Sequence, residues 1–170
     1  MKPSAFISSF LLMCGVFFCS TARAQSTIAF ADGAGEVTLP SYLVQIEDSD
    51  ASLVAISKPE GNVKLYFDLH KLDAVTKIER PAELLVREQA QKKDKKLREH
   101  MGKVLFLDPS PVVQVDGQAV VNLHWQIGFD KTLVIMSARI PQAARDAPDV
   151  KRLLSGDLER IIASLKRVGG

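Results

Sequence analysis

Apolar and polar residues alternate along the chain in a pattern that predicts a series of strands interrupted by one helix and closed by another. Three stretches rich in β-branched and apolar residues, 35–48, 51–58 and 63–70, come first. The segment 58–62, KPEGN, carries the Pro and Gly of a turn between the last two. These stretches predict a meander of three strands.

From Pro81 to Met101 the apolar residues recur at helical spacing, and the residues between them are mostly Glu, Arg, Gln and Lys, which favour helices. A proline at the start suits the first turn of a helix. The pattern therefore predicts one long amphipathic helix over 81–101. Its apolar positions are Ala82, Val86, Ala90, Leu97 and Met101.

Strand patterns return after this helix. They cover residues 103–107, 111–115, 118–128 and 132–140. Asp116-Gly117 favours a tight type I′ reversal, and a second hairpin is expected at 129–131. The stretch 132–140 is apolar at both odd and even positions, so a strand there needs cover on both faces. We expect it to be central in the sheet.

The last segment, 147–168, gives the clearest helical stripe, with Pro148 in its first turn and Ser155-Gly156 as a point of division. The stripe consists of Val150, Leu153, Leu154, Leu158, Ile161, Ile162 and Leu165. Two helices and a strand with two apolar faces predict an α+β fold. We expect an antiparallel sheet of about six or seven strands flanked by two helices, an α/β/α sandwich.

Residues 1–24 have the layout of a cleaved secretory signal. Lys2 precedes an apolar run of about 14 residues, too short for the roughly 20 that span a bilayer, and Ala22-Arg23-Ala24 offers small residues for cleavage. We expect cleavage between Ala24 and Gln25, and no transmembrane span in the mature chain. Residues 25–170 are then one exported domain, periplasmic or secreted.

Removal of the signal changes the chemistry of the chain. Both cysteines, Cys14 and Cys19, leave with it, and neither follows the small residues that a lipid-modified cysteine requires. The mature domain has no disulfide available and must rely on its core. Loss of Lys2 and Arg23 from 22 basic residues leaves 20 against 20 acidic ones. The basic balance of the full chain is therefore no evidence for a nucleic-acid partner.

The order of these elements resembles the PsbP/Mog-like superfamily, and within it the exported bacterial DcrB-like proteins. The resemblance rests on the strand ending VTLP at 37–40, the meander, the long helix, the hairpins ending LVIMSARIP at 133–141, and the final helix after AARDAPDVKRLL at 143–154. It implies an α/β/α sandwich and non-catalytic roles, such as extrinsic subunits, protein binders and chaperones for secreted effectors. It implies no catalytic residues.

Candidate chemistry is sparse. His70, His100 and His124 lie in none of the usual zinc-ligand spacings, so we expect no metal site and no cofactor. No G-x-S-x-G elbow occurs, and Ser110, Ser137 and Ser155 show no sequence sign of a paired base. The glycines Gly33 and Gly35 lack the rest of a phosphate loop. We therefore expect a protein that is not an enzyme.

Strand alternation gives one candidate binding surface, which we call the polar face. In the strands 63–70 and 120–127 the apolar positions face the core and the polar ones face the other side. If the two strands lie near each other, the polar face is available to a ligand or partner; the alternative is the solvated side of an antiparallel sheet. Its members are Tyr66, Asp68, His70, Asn122, His124 and Gln126.

A basic run occupies residues 92–98 near the end of the predicted long helix. Cations suit the carboxyl end of a helix, so a solvated helix face is one interpretation. The other is an electrostatic contact with an acidic protein or anionic lipid. The absence of interleaved aromatic residues disfavours single-stranded nucleic acid. The basic residues are Lys92, Lys93, Lys95, Lys96 and Arg98.

These observations favour an exported, periplasmic or secreted, non-catalytic domain that binds another exported or envelope protein as an adaptor, chaperone or immunity-type factor. The alternative is a small-ligand or lipid carrier of the cell envelope, using a pocket between sheet and helix. A hydrolase with a diverged site is a third hypothesis, for which the candidate residues are His124 and Asp68. Fold alone does not choose among them.

Overall fold

The computed structural model describes residues 25–30, 33, 35–48, 51–72 and 80–168. The predicted signal and its cleavage site, apart from Gln25, lie outside these residues. The strands are β1 Gln25–Ala29, β2 Gly35–Pro40, β3 Leu43–Ile46, β4 Leu53–Ser57, β5 Lys64–Lys71, β6 Arg98–His100, β7 Lys103–Pro109, β8 Val113–Val115, β9 Gln118–Phe129, β10 Thr132–Pro141 and β11 Lys166–Arg167. The helices are α1 Pro81–Lys92, α2 Pro148–Arg152 and α3 Leu158–Ser164, with a 3-10 turn at Gln142–Ala144 and a π-helical turn at Leu153–Asp157.

Two antiparallel sheets form the framework. The larger has eight strands in the order β3-β4-β5-β10-β9-β7-β6, with β8 paired to the far end of β9. The smaller has three strands in the order β1-β2-β11. The strand β10 lies in the middle of the larger sheet between β5 and β9, as its two apolar faces predicted. The α+β fold is confirmed, with more strands than the six or seven expected.

The helices lie on opposite faces of the eight-stranded sheet. Residues of α1 pack on one face with Val104 and Phe106 of β7 and with Leu133 of β10. The C-terminal helices and the three-stranded sheet pack on the other face around Phe67, Trp125 and other large apolar side chains. The predicted α/β/α layering is therefore present, because both faces of the central strand are apolar and each needs cover.

Helix α1 approaches β9 closely because Gly128 has no side chain. A Cβ at Gly128 would lie 2.5 Å from the carbonyl oxygen of Ala82 and 3.0 Å from the amide nitrogen of Glu83. These are backbone atoms in the first turn of α1, so they cannot move aside as a flexible side chain would. Gly128 thus fixes where the helix begins on the sheet.

The first expected strand, 35–48, is in fact two. Strand β2 ends at Pro40 and belongs to the smaller sheet, whereas β3 begins at Leu43 and pairs with β4 in the larger one. The predicted meander is β3-β4-β5. Pro40-Ser41 marks the break in the sequence, although both pieces contribute residues to the same core.

The expected helix over 81–101 is wrong beyond Lys92. Asp94 adopts a left-handed conformation with φ of 50°, and the amide of Lys95 donates to the carbonyl of Ala90, an arrangement that closes a helix. Residues 98–100 then form β6, which pairs with β7 across a turn at Met101-Gly102. No Gly or Pro marks this stop between 82 and 101, and helix-favouring side chains continue past it.

The C-terminal helix divides at the predicted position. Gly156 has φ of 152° inside the π-helical turn that separates α2 from α3. Of the predicted apolar stripe, Val150, Leu153, Ile161, Ile162 and Leu165 are buried and Leu158 packs against them, whereas Leu154 is exposed. Leu154 lies inside the π-helical turn, where the regular helical spacing of the stripe is interrupted.

Candidate functional site

The two strands that carry the polar face are separated by one strand only. Tyr66 of β5 lies opposite Ser137 of β10, and Ser137 lies opposite His124 of β9. Residues that lie directly opposite one another on adjacent strands point to the same side of the sheet. The structure therefore brings the β5 and β9 side chains to one face, with β10 contributing Ser137 and Arg139 between them.

Arg139 is held against Tyr66. The guanidinium carbon of Arg139 lies 4.2 Å from the centre of the Tyr66 ring, and its Nη1 donates a hydrogen bond of 2.9 Å to the Tyr66 hydroxyl. On the same ring, Nζ of Lys64 lies 5.0 Å from the centre, and it is bonded to a carboxylate oxygen of Asp48 at 2.6 Å. Tyr66 is buried by these contacts although it belongs to the polar face.

His124 is in direct contact with a serine. Its Nδ1 lies 2.6 Å from the hydroxyl oxygen of Ser137. Burial lowers the pKa of His124, the neighbouring Asp108 carboxylate opposes that effect, and the positive charges of Arg139 and Lys93 add to it. Burial therefore favours the neutral imidazole, whose Nδ1 either accepts a hydrogen bond from the Ser137 hydroxyl or donates one to it, depending on the tautomer.

The sequence shows no sign of a base for Ser137, and the fold places a histidine beside it. A serine and a histidine on two strands become neighbours only when the register is known, since Ser137 and His124 are 13 residues apart. The available signal was the alternation in 132–140, which places Ser137 and Arg139 at polar positions on one side of the strand.

Asp108 lies opposite His124 on the next strand, β7, so serine, histidine and aspartate follow one another across three strands. Two lysines engage the Asp108 carboxylate, Lys93 at 2.5 Å and Lys95 at 3.2 Å. The hydrogen bond from Lys93, with help from Lys95, lowers the pKa of Asp108. Ser137, His124 and Asp108 thus follow the order of a nucleophile, a base and an acid. The Asp108 carboxylate, however, binds Lys93 and Lys95 instead of orienting the His124 ring.

The other predicted members of the polar face are more loosely connected. Asp68 accepts a hydrogen bond of 3.3 Å from the amide of Ser52, and His70 is exposed at the end of β5. Gln126 lies beside Ile135 and Phe106, where α1 begins to cover the sheet. The amide oxygen of Asn122, opposite Arg139, is buried without a hydrogen bond. The strongest contacts of the face therefore surround Arg139 and His124.

The basic run does not lie along a helix, so the expectation that it forms a helix face is wrong. Only Lys92 is in α1; Lys93 and Lys95 bind Asp108, and Arg98 of β6 binds Glu159 of α3 at 2.7 Å. These three cations connect separate elements. Lys92, Lys93, Lys96 and Arg98 are exposed, and of these Lys92 and Lys96 form no ion pair with another described residue. A contact between the run and an acidic partner stays a prediction.

A cavity of about 870 Å³ opens at the far end of the sheet, where β9 and β10 meet the 3-10 turn before α2. Alanine side chains form part of its lining, and Asn62, Gln118 and Gln142 contribute amides. Across the described ranges, no group of three or more His, Cys, Asp or Glu could hold a metal ion. No helix in the described part of the chain is long and apolar enough to cross a membrane.

No protein-family model matches this sequence, and no curated protein matches it. Solved structures do. A crystal structure of a Bacteroides thetaiotaomicron protein matches with a TM-score of 0.63 and 13% identity over 86% of this chain and 49% of that one. The chain thus spans about half the length of that protein.

A second match is the crystal structure of LpqN, involved in cell envelope biogenesis of Mycobacterium tuberculosis, with a TM-score of 0.53 and 9% identity over 86% of this chain and 91% of LpqN. The solution structure of cyanobacterial PsbP (CyanoP) from Synechocystis sp. PCC 6803 has 12% identity and covers 93% of this chain and 99% of its own, but its TM-score is only 0.38. At these identities the likeness concerns the fold alone. The chain therefore shares its fold with the Bacteroides thetaiotaomicron protein and with LpqN.

Proposed function

We propose that this chain is an exported, non-catalytic domain that binds another protein of the cell envelope, in the periplasm or after secretion. The observation that carries the proposal is the polar face. Tyr66, His124, Ser137 and Arg139 are packed side by side on three adjacent strands, and Ser137, His124 and Arg139 keep part of their surface open. A surface that is ordered by its own contacts and still accessible can bind a partner without a large ordering cost.

The location is supported by the signal-like residues 1–24 and by the fold similarity to LpqN, which is involved in cell envelope biogenesis. We expect the mature protein to begin at Gln25. Expression of the full chain from Met1 with fractionation and intact-mass measurement tests this. A mass that includes Met1, or recovery from the cytosol, would contradict export.

Binding is tested with a photo-crosslinking amino acid placed at Gln126, next to the centre of the polar face, in the full-length chain expressed in its native host. The matched control carries the same amino acid at Ser155, which is exposed on the C-terminal helices on the opposite side of the sheet. We expect an adduct with one distinct envelope protein from position 126 and none from position 155. The purified partner must then bind the unmodified domain. Equal adducts from both positions, or none from either, would reject the polar face as the binding surface.

The non-catalytic part of the proposal has its own test. Because Lys93 and Lys95 hold the Asp108 carboxylate, we expect Ser137 to be no more reactive toward a fluorophosphonate probe than Ser155. Selective labelling of Ser137 that disappears in His124→Ala would replace this proposal with a hydrolase.

The second candidate function is a small-ligand or lipid carrier, and the 870 Å³ cavity favours it. This volume lies within the range of about 300–1,000 Å³ that is usual for small-molecule sites. Native mass spectrometry of the protein purified from its host tests this role. A bound small molecule that is lost on changing Ala119 to Trp, which fills the cavity, would favour the carrier over the protein binder.

A further inference from the structure

Two cations stand directly opposite each other on neighbouring strands of the polar face. Lys64 of β5 is the cross-strand partner of Arg139 of β10. Like charges in this position destabilise a sheet. The pair persists because both cations rest on the Tyr66 ring, at 5.0 and 4.2 Å from its centre, and because Asp48 binds Lys64.

Lys64 and Arg139 carry two positive charges, and Asp48 supplies one negative charge to balance them. Asp48 is bonded to Lys64, whereas in the described ranges no carboxylate lies within ion-pair distance of the Arg139 guanidinium. Arg139 uses one of its five N–H donors on the Tyr66 hydroxyl. The Arg139 side chain is half-buried, and its contact with the Tyr66 ring already orients the remaining N–H donors. A group of this kind binds a carboxylate with little loss of side-chain freedom.

We propose that Arg139, supported by Lys64 and oriented by Tyr66, is the point at which the polar face binds an Asp or Glu side chain of an acidic segment in the partner protein. This inference rests on the proposed function and specifies its partner chemistry. The carboxylate would provide the counter-charge that the Lys64–Arg139 pair lacks. Asn122, opposite Arg139 on β9, borders the same point and supplies an amide.

An anionic membrane surface is a poorer occupant. Recognition of lipid headgroups uses clusters of four to eight uncompensated cations. On this side of the sheet Lys93 and Lys95 share the Asp108 carboxylate, and Asp48 binds Lys64. Together with Arg139 these four cations face two carboxylates, so two positive charges remain, fewer than such a cluster carries. A half-buried guanidinium already oriented by Tyr66 suits one carboxylate of a peptide better than a charged surface.

The test is an NMR titration of the mature domain with an end-blocked tetra-glutamate peptide, and with end-blocked tetra-glutamine as the control ligand. We expect saturable shifts of the backbone amides around Tyr66 and Arg139 with the acidic peptide alone. Arg139→Gln should weaken the binding by at least about fivefold, while Arg139→Lys should weaken it less because the charge remains. A thermal melt of each variant verifies that it is folded.

The matched control is Arg145→Gln, which removes the same charge from an exposed position in the turn before α2. We expect it to bind the peptide as the native domain does. Equal weakening by Arg145→Gln, unchanged binding by Arg139→Gln, or no saturable binding to the native domain would overturn the inference. So would Arg139-dependent binding to vesicles of phosphatidylglycerol in the absence of peptide binding.

Failure of the carboxylate site and failure of the protein-binding role give different results. If the Gln126 crosslink captures a partner whose binding is unaffected by Arg139→Gln, the protein-binding role stands and the carboxylate site is wrong. If neither position 126 nor the purified domain binds any protein, the proposed function fails whatever the peptide does.

Discussion

The hydroxyl of Ser57 donates a hydrogen bond of 2.6 Å to the carboxylate of Asp149, and both side chains are buried. The same carboxylate accepts hydrogen bonds from the backbone and side-chain amides of Asn62, and from the amide of Val150. Asp149 lies in the first turn of α2, and Ser57 ends β4. This contact therefore fastens the C-terminal helices to the larger sheet.

We predict that Asp149→Asn lowers the free energy of unfolding by about 2–3 kcal/mol. The substitution replaces a charged acceptor of four hydrogen bonds by an amide that leaves buried groups imperfectly paired. Urea unfolding followed by circular dichroism measures the change. The control is Asp146→Asn three residues earlier, whose side chain is 90% exposed and whose ion pair with Lys151 should contribute little. An equal effect of the two substitutions would contradict the assigned role of Asp149.

The contribution of Asp149 should depend on pH. Burial alone would raise the pKa of Asp149, but the hydrogen bonds from Ser57, Asn62 and Val150 together outweigh burial and hold the pKa below its ordinary value. A carboxyl whose pKa is lower in the folded state stabilises the protein above its unfolded pKa, about 3.9, and loses that effect as pH falls through the folded pKa. The difference in unfolding free energy between native protein and Asp149→Asn should be constant from about pH 7 to pH 5 and decrease below about pH 4. A difference that increases on acidification would contradict the direction of the pKa shift.

Gly128→Ala should destabilise the protein by about 1–3 kcal/mol, because the added methyl group would meet the backbone of Ala82 and Glu83 at 2.5–3.0 Å. Helix α1 would have to move away from β9. Thermal unfolding gives the loss of stability, and hydrogen exchange of the α1 amides shows where it arises. Gln126→Ala, two residues earlier on the same face, is the control and should have a smaller effect. Unaltered exchange in α1 would show that the helix does not depend on this approach.

The pKa of His124 should respond to its charged neighbours in opposite directions. Arg139→Gln removes a cation and should raise the pKa of His124, whereas Asp108→Asn removes an anion and should lower it further. NMR titration of the histidine ring protons measures both. Lys96→Gln, a change of the same charge in the basic run, should leave the titration unaltered. Shifts of the same sign in both variants would indicate rearrangement of the face rather than electrostatics.

Local sequence patterns determined several turns, the position of β10 and the division of the last helix. The reversals at Asp116-Gly117 and Phe129-Asp130-Lys131, the two-sided apolar pattern of β10 and the division of the last helix at Gly156 were all predicted from the sequence and are confirmed. Each depends on interactions within a few residues, or on the period of the side chains along one element. The end of α1 was predicted wrongly, because Asp94 closes it in a conformation that glycine usually provides.

What only the tertiary structure decided is which residues of different strands meet. The sequence placed Tyr66 and His124 on polar sides of two strands, but β10 joins those sides into one surface and adds Ser137 and Arg139 to it. Likewise the basic run was visible in the sequence, and the carboxylates that bind most of it, Asp108 and Glu159, were not. The physical reason is that side-chain period is a property of a single strand, whereas strand order and register follow from the packing of the whole core.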